Sequence, residues 1–246
     1  MATGTAIVIA SGKGGTGKTS LTGGIAACLA RLGRKVLCID MDIGLRNLDI
    51  SLGMSDRVLM DFSDVVEGRC TLERAAVAHP TLPFLYMLTA PVRLPDGVDE
   101  AGIAALLDEA RQKFDYILLD APAGLDAGFR LAACAADRAI VVATNDASSL
   151  RDAQRVVGEL NRIKQVHLVV NRVQPKLLRR LRTTIDDAMD SAGLPLLGVV
   201  PEDPKVVLAA NAGKPLILTG RRGAANACLN IAKRLEGHRA PIMRIR

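Results

Sequence analysis

Aromatic side chains are nearly missing from this sequence: its 246 residues include no Trp, two Tyr and four Phe. Readers of single-stranded nucleic acid stack bases on aromatic platforms, so that class is excluded. Paired cysteines are missing as well. Cys28, Cys38, Cys70, Cys134 and Cys228 are odd in number and widely spaced, with no Cys-x-x-Cys. A disulfide framework and a zinc knuckle are excluded, and a reducing cytoplasm fits, each thiol acting as a small buried apolar group. No apolar run approaches the roughly 18 residues that would cross a bilayer. Met1 to Ala10 has no basic segment and too short an apolar stretch for a secretory signal.

Apolar residues are plentiful. At 49% of the chain they can fill a large core, which excludes disorder as the main state. Charge is uneven. From Asn171 to Arg246 there are 14 Lys and Arg against 6 Asp and Glu, whereas the first 170 residues hold 18 against 20. A basic C-terminal third suggests an anionic partner, nucleic acid or lipid headgroups.

The hydrophobic pattern alternates strand and helix. Ala6–Ala10 is a continuous apolar run, as expected of a strand buried on both faces. Leu21, Ile25, Cys28, Leu29 and Leu32 then recur at helical spacing, and Gly33 follows as a stop. Further strands are expected at Lys35–Asp40, Phe84–Leu88, Tyr116–Asp120, Arg138–Ala143, His167–Val170 and Leu196–Val200. Helical faces are expected at Ile103, Leu106, Leu107, Ala110 and at Ala225, Cys228, Leu229, Ala232, Leu235. The expected fold is α/β: a mostly parallel twisted sheet with helices on both faces, as one domain over residues 1–246.

Between the first strand and first helix lies Gly12-Lys13-Gly14-Gly15-Thr16-Gly17-Lys18-Thr19, followed by Ser20. It satisfies the P-loop pattern G-x-x-x-x-G-K-[ST]. Such a loop curls its backbone N–H groups around phosphate oxygens at a helix N-terminus. Lys18 then reaches the β- and γ-phosphates, and the Thr19 hydroxyl suits Mg²⁺. Lys13 is a second lysine, at the loop's start. It is poorly placed for its own γ-phosphate but could reach a nucleotide in a second subunit, as an arginine finger does.

This loop resembles the deviant Walker A motif of the MinD/ParA ATPases. Ile39-Asp40-Met41-Asp42-Ile43-Gly44-Leu45-Arg46-Asn47-Leu48-Asp49 resembles the switch I region of the family's MinD members. So do Asp64–Cys70, Asp120–Gly124, Ser148–Asp152 and Val199–Asp203, so the likeness runs from about Ala6 to Leu235. The resemblance implies ATP and Mg²⁺ as cofactors, an ATP-dependent homodimer in which Lys13 acts across the interface, and slow hydrolysis. It also implies a role in placing the division septum, with a MinC-like inhibitor and a MinE- or DivIVA-like activating system as partners. Two other readings stand beside it. One is a ParA-like partition or cargo-positioning ATPase on non-specific DNA. The other is a P-loop iron–sulfur carrier, for which paired cluster cysteines are wanting.

Asp40, Asp42 and Asp120 end strands at the edge where an open parallel sheet binds its ligand. Three carboxylates there suit Mg²⁺. Asp120 reads as the Walker B acid. By resemblance, Asp42 handles the attacking water and Asp40 supports the metal shell, so Thr19, Asp40 and Asp120 are the candidate metal ligands. Gly124 could turn a backbone N–H to the γ-phosphate. Asn171, beside Arg172, offers a donor and an acceptor to adenine, or is simply a turn residue. By resemblance, Pro201-Glu202-Asp203 closes over the base. Guanine is disfavoured because no Asn-Lys-x-Asp is present.

Lys176, Arg179 and Arg180, with Arg182 close by, form a basic stripe: either a solvated face or a phosphate or lipid contact. Arg46, Asn47, Arg151 and Asp152 are expected to form an effector docking surface beside the nucleotide on the dimer. MinD members typically end in an amphipathic membrane helix. Here the residues after Gly237 are His-Arg-Ala-Pro-Ile-Met-Arg-Ile-Arg, interrupted by Pro241. A membrane-surface helix is not expected there, so contact with anionic membrane at the inner face of the cell would be weak or use another surface.

Overall fold

The structure is a computed structural model, and it describes residues 3–57 and 59–243. The chain runs β1 (Thr5–Ala10), α1 (Lys18–Arg31), β2 (Val36–Asp40), α2 (Leu48–Leu52), α3 (Phe62–Val66), α4 (Leu72–Ala75), β3 (Val77–Ala78), β4 (Leu85–Leu88), α5 (Glu100–Lys113) and β5 (Tyr116–Asp120). It continues α6 (Ala127–Ala133), β6 (Arg138–Thr144), α7 (Ala147–Glu159), β7 (Gln165–Val173), α8 (Pro175–Leu181), α9 (Ile185–Ala192), β8 (Leu196–Pro201), α10 (Pro204–Asn211), a 3₁₀ turn (Leu216–Thr219) and α11 (Gly223–Leu235).

The strands form one sheet in the order β3-β4-β2-β5-β1-β6-β7-β8. All pairings are parallel except β3 with β4. The sheet is sandwiched between two apolar layers. One contains Ile103, Leu107, Phe129, Val156 and Ala188 from α5, α6, α7 and α9. The other contains Ile25, Leu29, Leu52, Ala209 and Ile231 from α1, α2, α10 and α11. This is the expected two-sided burial, and it makes the central strands continuously apolar.

All seven expected strands are present. β7 is longer than expected, so Asn171 and Arg172 lie within it rather than at its end. The two-residue edge strand β3 carries no periodic signal, and Phe84 stands outside β4 with φ of 71°. Leu32 is the C-cap of α1 rather than part of its buried face. Among the described residues no helix follows Leu235, and Met243 packs against the α1/α11 layer. Arg244, Ile245 and Arg246, named above in the tail, lie outside the described residues. No helix among the described residues is long and apolar enough to cross a membrane.

His79 fixes the end of α2. It is buried, and its Nδ1 accepts N–H bonds from Thr81 and Leu82 at 3.1 Å each. The proton therefore sits on Nε2, which donates to the Leu52 carbonyl at 3.0 Å. Burial pushes the His79 pKa down, the Leu52 bond opposes this, and Arg57 adds to it. A His with a lowered folded-state pKa takes up fewer protons than the unfolded chain, so stability falls as pH drops below its ordinary value of about 6.5. Unfolding by urea at pH 7.5 and 5.5 should show this loss. His79→Leu should cost about 1–3 kcal/mol at the higher pH, by stranding three backbone groups, and flatten the slope between the two. An unchanged slope would place the acid sensitivity elsewhere.

Candidate active site

Three neighbours pin the loop between β1 and α1. A Cβ on Gly12 would lie 2.5 Å from the Cβ of Asp152, so α7 packs directly on the loop. Gly17 has φ of 85°, and a Cβ there would sit 2.4 Å from Asn171 Nδ2. Both positions require glycine. Asn171 Nδ2 donates to the Thr16 carbonyl at 2.7 Å, and Arg172 Nη1 donates to the Gly15 carbonyl at 2.8 Å. Arg172 Nε also binds Glu202 at 2.8 Å. Asn171 thus spends one amide hydrogen on the loop and keeps its carbonyl oxygen and second hydrogen. Gly124 N–H donates to the Ser11 carbonyl at 3.3 Å, and it is Ala123, not Gly124, that lines the phosphate cavity.

Behind the loop, Lys18 Nζ meets Asp120 Oδ1 at 3.2 Å, with both side chains buried. Thr22 Oγ1 lies 2.9 Å from the same oxygen and 3.0 Å from the Lys18 carbonyl. Asp120 Oδ2 is buried and has no hydrogen-bond partner. Asp40 pairs with Asp120 across neighbouring strands. Burial, reinforced by the Asp120 charge, pushes the Asp40 pKa up to about 6. Asp40, expected to support the metal shell, also has a structural part. Its two oxygens accept from Asp42 N at 2.9 Å and Leu48 N at 3.1 Å, which holds the segment between β2 and α2 in shape. Asp42 is half-buried, and burial raises its pKa against the opposing pull of Lys18.

The carboxylates do not form a cage. Among the described residues no three His, Cys, Asp or Glu side chains are grouped to hold a metal. The orphaned Asp120 Oδ2 and the Thr19 hydroxyl still fit Mg²⁺, a hard ion that takes few protein oxygens and keeps its water and phosphate ligands.

Two cavities flank the loop and share Gly15, Gly17 and Ser20. One, about 380 Å³, is lined by Lys13, Lys18, Thr19, Asp42 and Asn47 among others. The other, about 250 Å³, is mostly apolar and is lined by Asn171, Arg172, Pro201, Glu202, Asp203 and Val206 among others. The first is polyphosphate-sized and the second base-sized. Every residue expected at the base lines the second. Asp203 also caps α10, and its Oδ2 accepts from Ala224 N at 3.0 Å. A larger cleft of about 580 Å³ lies at the opposite end of the strands, beside Arg34, Arg138 and His167, and touches no loop residue.

Lys13 sits at the cavity mouth with about a third of its side chain exposed. Its Nζ binds Asp146 Oδ1 at 3.0 Å and Ser148 Oγ at 2.9 Å. Burial alone would raise the Asp146 pKa. Hydrogen bonds from Thr144, Ser148, the Ser149 N–H and Lys13 together hold it well below the usual carboxylate range.

The residues expected at the dimer's effector surface lie on two segments of this chain. Arg46 turns to Thr89, after β4, with Nε at 3.1 Å, while Arg151 and Asp152 begin α7, after β6. β2, β5 and β1 lie between them in the sheet. Asp126 caps α6. The expected set omitted two residues. Thr22 lies one helical turn after Lys18 on the same face of α1, a signal the sequence does carry. Asp146 meets Lys13 only through the fold.

The chain matches the CobQ/CobB/MinD/ParA nucleotide binding domain over residues 7–216. It is 41% identical to the septum site-determining protein MinD of Synechocystis over 242 residues, covering 96% of this chain and 91% of that one. The MinC:MinD cell division protein complex of Aquifex aeolicus contains a chain that superposes with a TM-score of 0.91 at 39% identity, covering 98% and 99% of the two chains. MinD of Pyrococcus horikoshii complexed with Mg-ADP gives a TM-score of 0.82 at 29% identity, covering 94% and 96%. With its phosphate loop, paired cavities and sheet order in place, this chain belongs to the MinD branch of the CobQ/CobB/MinD/ParA family of P-loop ATPases.

Proposed function

We propose that this ATP-hydrolysing P-loop enzyme is a spatial switch in division-septum placement. ATP favours a dimer that recruits a MinC-like inhibitor, and hydrolysis stimulated by a second partner releases it. The observation that carries the reading is the contrast between the two lysines of one loop. Lys18 is buried on Asp120, behind the loop. Lys13 is held at the mouth by an ion pair whose members are 35% and 44% exposed.

Exposed pairs contribute only about 0–1 kcal/mol, so the phosphates of a second subunit's nucleotide can draw Lys13 away at small cost. The Lys18 ammonium needs only to turn from Asp120 to reach the β- and γ-phosphates. Backbone N–H groups from Gly14 to Thr19 hold the phosphate oxygens. Mg²⁺, bound through Thr19 and Asp120, would neutralise charge building between the β- and γ-phosphates. Asp42 lines the phosphate cavity and orients the attacking water. Asn171 reads the adenine edge, and Pro201, Glu202 and Asp203 wall the base. The exposed Arg151, at the start of α7 beside Gly12, is the effector contact this chain supplies, and Arg46 belongs to a separate surface on the other side of the loop.

Titration with a fluorescent ATP analogue and sedimentation in ATP separate the lysines. Lys18→Ala should abolish nucleotide binding and lower apo stability by about 3–5 kcal/mol, because Asp120 is left buried and unpaired. Lys13→Ala should bind nucleotide within a few-fold of the unaltered chain yet stay monomeric and inactive. A Lys13→Ala protein that dimerises and turns over normally would rule out action across the interface.

Asp42→Ala should slow hydrolysis by about 10²–10⁴ while ATP binding holds, trapping the ATP dimer. Single-turnover kinetics beside equilibrium binding check this. Equal losses in both would make Asp42 a binding residue instead.

A further inference from the structure

Both donors to Asp120 reach the same oxygen. Lys18 Nζ lies 3.2 Å from Oδ1 and Thr22 Oγ1 lies 2.9 Å from it, while Oδ2 is buried with no hydrogen-bond partner. Among the described residues these two are the only donors to this carboxylate. Lys18 and Thr22 are one turn apart on the buried face of α1, and Thr22 is fully enclosed. Its hydroxyl also lies 3.0 Å from the Lys18 carbonyl. A hydroxyl has one hydrogen to donate, and the charged carboxylate is the stronger acceptor. The Lys18 carbonyl, four residues earlier in the helix, is placed to take the Thr22 backbone N–H instead. The hydroxyl hydrogen therefore goes to Asp120.

The two donors differ in what else they can do. Lys18 has a long side chain and lines the phosphate cavity. Thr22 is short, lines neither cavity beside the loop and has no other side-chain acceptor. A buried carboxylate stripped of its donors is costly. If Lys18 were its sole partner, every nucleotide that drew the ammonium away would be set against that cost. With Thr22 in place, Asp120 keeps a donor on Oδ1 whichever way Lys18 turns.

We propose that Thr22 is a positioning residue for nucleotide binding: its hydroxyl holds Asp120 when Lys18 turns to the phosphates, so the ammonium is released without stranding the carboxylate. Thr22 acts through Asp120 and not on the nucleotide. This deepens the reading of the phosphate site and rests on Lys18 leaving Asp120 there. It does not depend on which partner the ATPase serves.

The test titrates the full chain with a fluorescent ADP analogue, in EDTA and in Mg²⁺. Thr22→Val removes the hydroxyl at similar volume and should weaken binding in EDTA at least about tenfold, in line with a hydrogen bond to a charged group. In Mg²⁺ the loss should be smaller, because a cation beside Asp120 offsets the missing donor. Thr22→Ser keeps the hydroxyl and should bind within about threefold of the unaltered chain. In an Asp120→Asn background, Thr22→Val should change binding by less than about threefold, since no charge is left to strand. The proposal is overturned if Thr22→Val binds like the unaltered chain in EDTA, if its loss persists beside Asp120→Asn, or if Ser fails to restore binding. A loss larger in Mg²⁺ than in EDTA overturns it as well. Asp120→Asn alone separates this proposal from the Lys18 reading. It should bind in EDTA at least as tightly as the unaltered chain, because the ammonium then has no anion to leave. Weaker binding would overturn the Lys18 reading. Tight binding, with Thr22→Val silent in either background, would overturn the Thr22 proposal alone. Melting of the nucleotide-free chains checks folding. Should Asp120→Asn not fold, the Val and Ser variants in EDTA and Mg²⁺ decide.

Discussion

A buried ammonium must have a buried anion, and in this fold that anion is Asp120. Lys18 and Asp120 are 6% and 1% exposed, so each needs a partner inside the fold, and they meet at 3.2 Å. The pairing constrains the sheet. Asp120 ends β5, which lies between β1 and β2 in parallel register, so the carboxylate arrives directly beneath the loop that follows β1. The register that aligns Asp120 with Ile9 also sets Asp40 against it. Like charges opposed across strands are unfavourable. The protein accommodates this by giving Asp40 two backbone N–H donors from the next segment, yet its pKa still stands near 6.

The same loop treats its two lysines in opposite ways. Lys18 is fixed by burial, and removing its partner would leave a stranded charge. Lys13 is fixed by an exposed contact that salt and competing phosphates weaken. One is therefore suited to holding nucleotide and the other to being exchanged, and the difference is set by depth alone. Asp146 and Ser148, which hold Lys13, stand at the N-terminus of α7, the helix whose Asp152 packs on Gly12.

Much of this was legible in the sequence because the relevant signals are local. Two-sided burial makes a strand a continuous apolar run, as in Ala6–Ala10 and Tyr116–Asp120. Four apolar residues at helical spacing marked the buried face of α5. The P-loop is a contiguous pattern, while Pro201, Glu202 and Asp203, which line a cavity with Asn171, were expected there from the family resemblance. What was not legible depends on contacts far apart in sequence. β3 is two residues held by β4. The bond from Leu48 N to Asp40 spans eight residues through an irregular turn. The separation of Arg46 from Arg151 within one chain is of this kind, although both follow strands on the ligand edge. The sheet order, set by crossovers that leave no trace in composition, puts three strands between them.

The end of β7 shows how tightly the pieces are joined. Asn171 binds the Thr16 carbonyl, Arg172 binds the Gly15 carbonyl and Glu202, and Glu202 N in turn donates to the Val173 carbonyl at 3.0 Å. Base pocket, phosphate loop and the last turn of the strand thus share one hydrogen-bond network within a few residues. Arg172 keeps φ of 56° to make its two contacts, a conformation that a non-glycine residue holds only when its surroundings require it. α8 begins at Pro175, two residues after the network ends. Val173 and Gln174 join that network to α8, which is also tied to the body of the fold by the packing of Leu178 and, through Thr183, by Asn145.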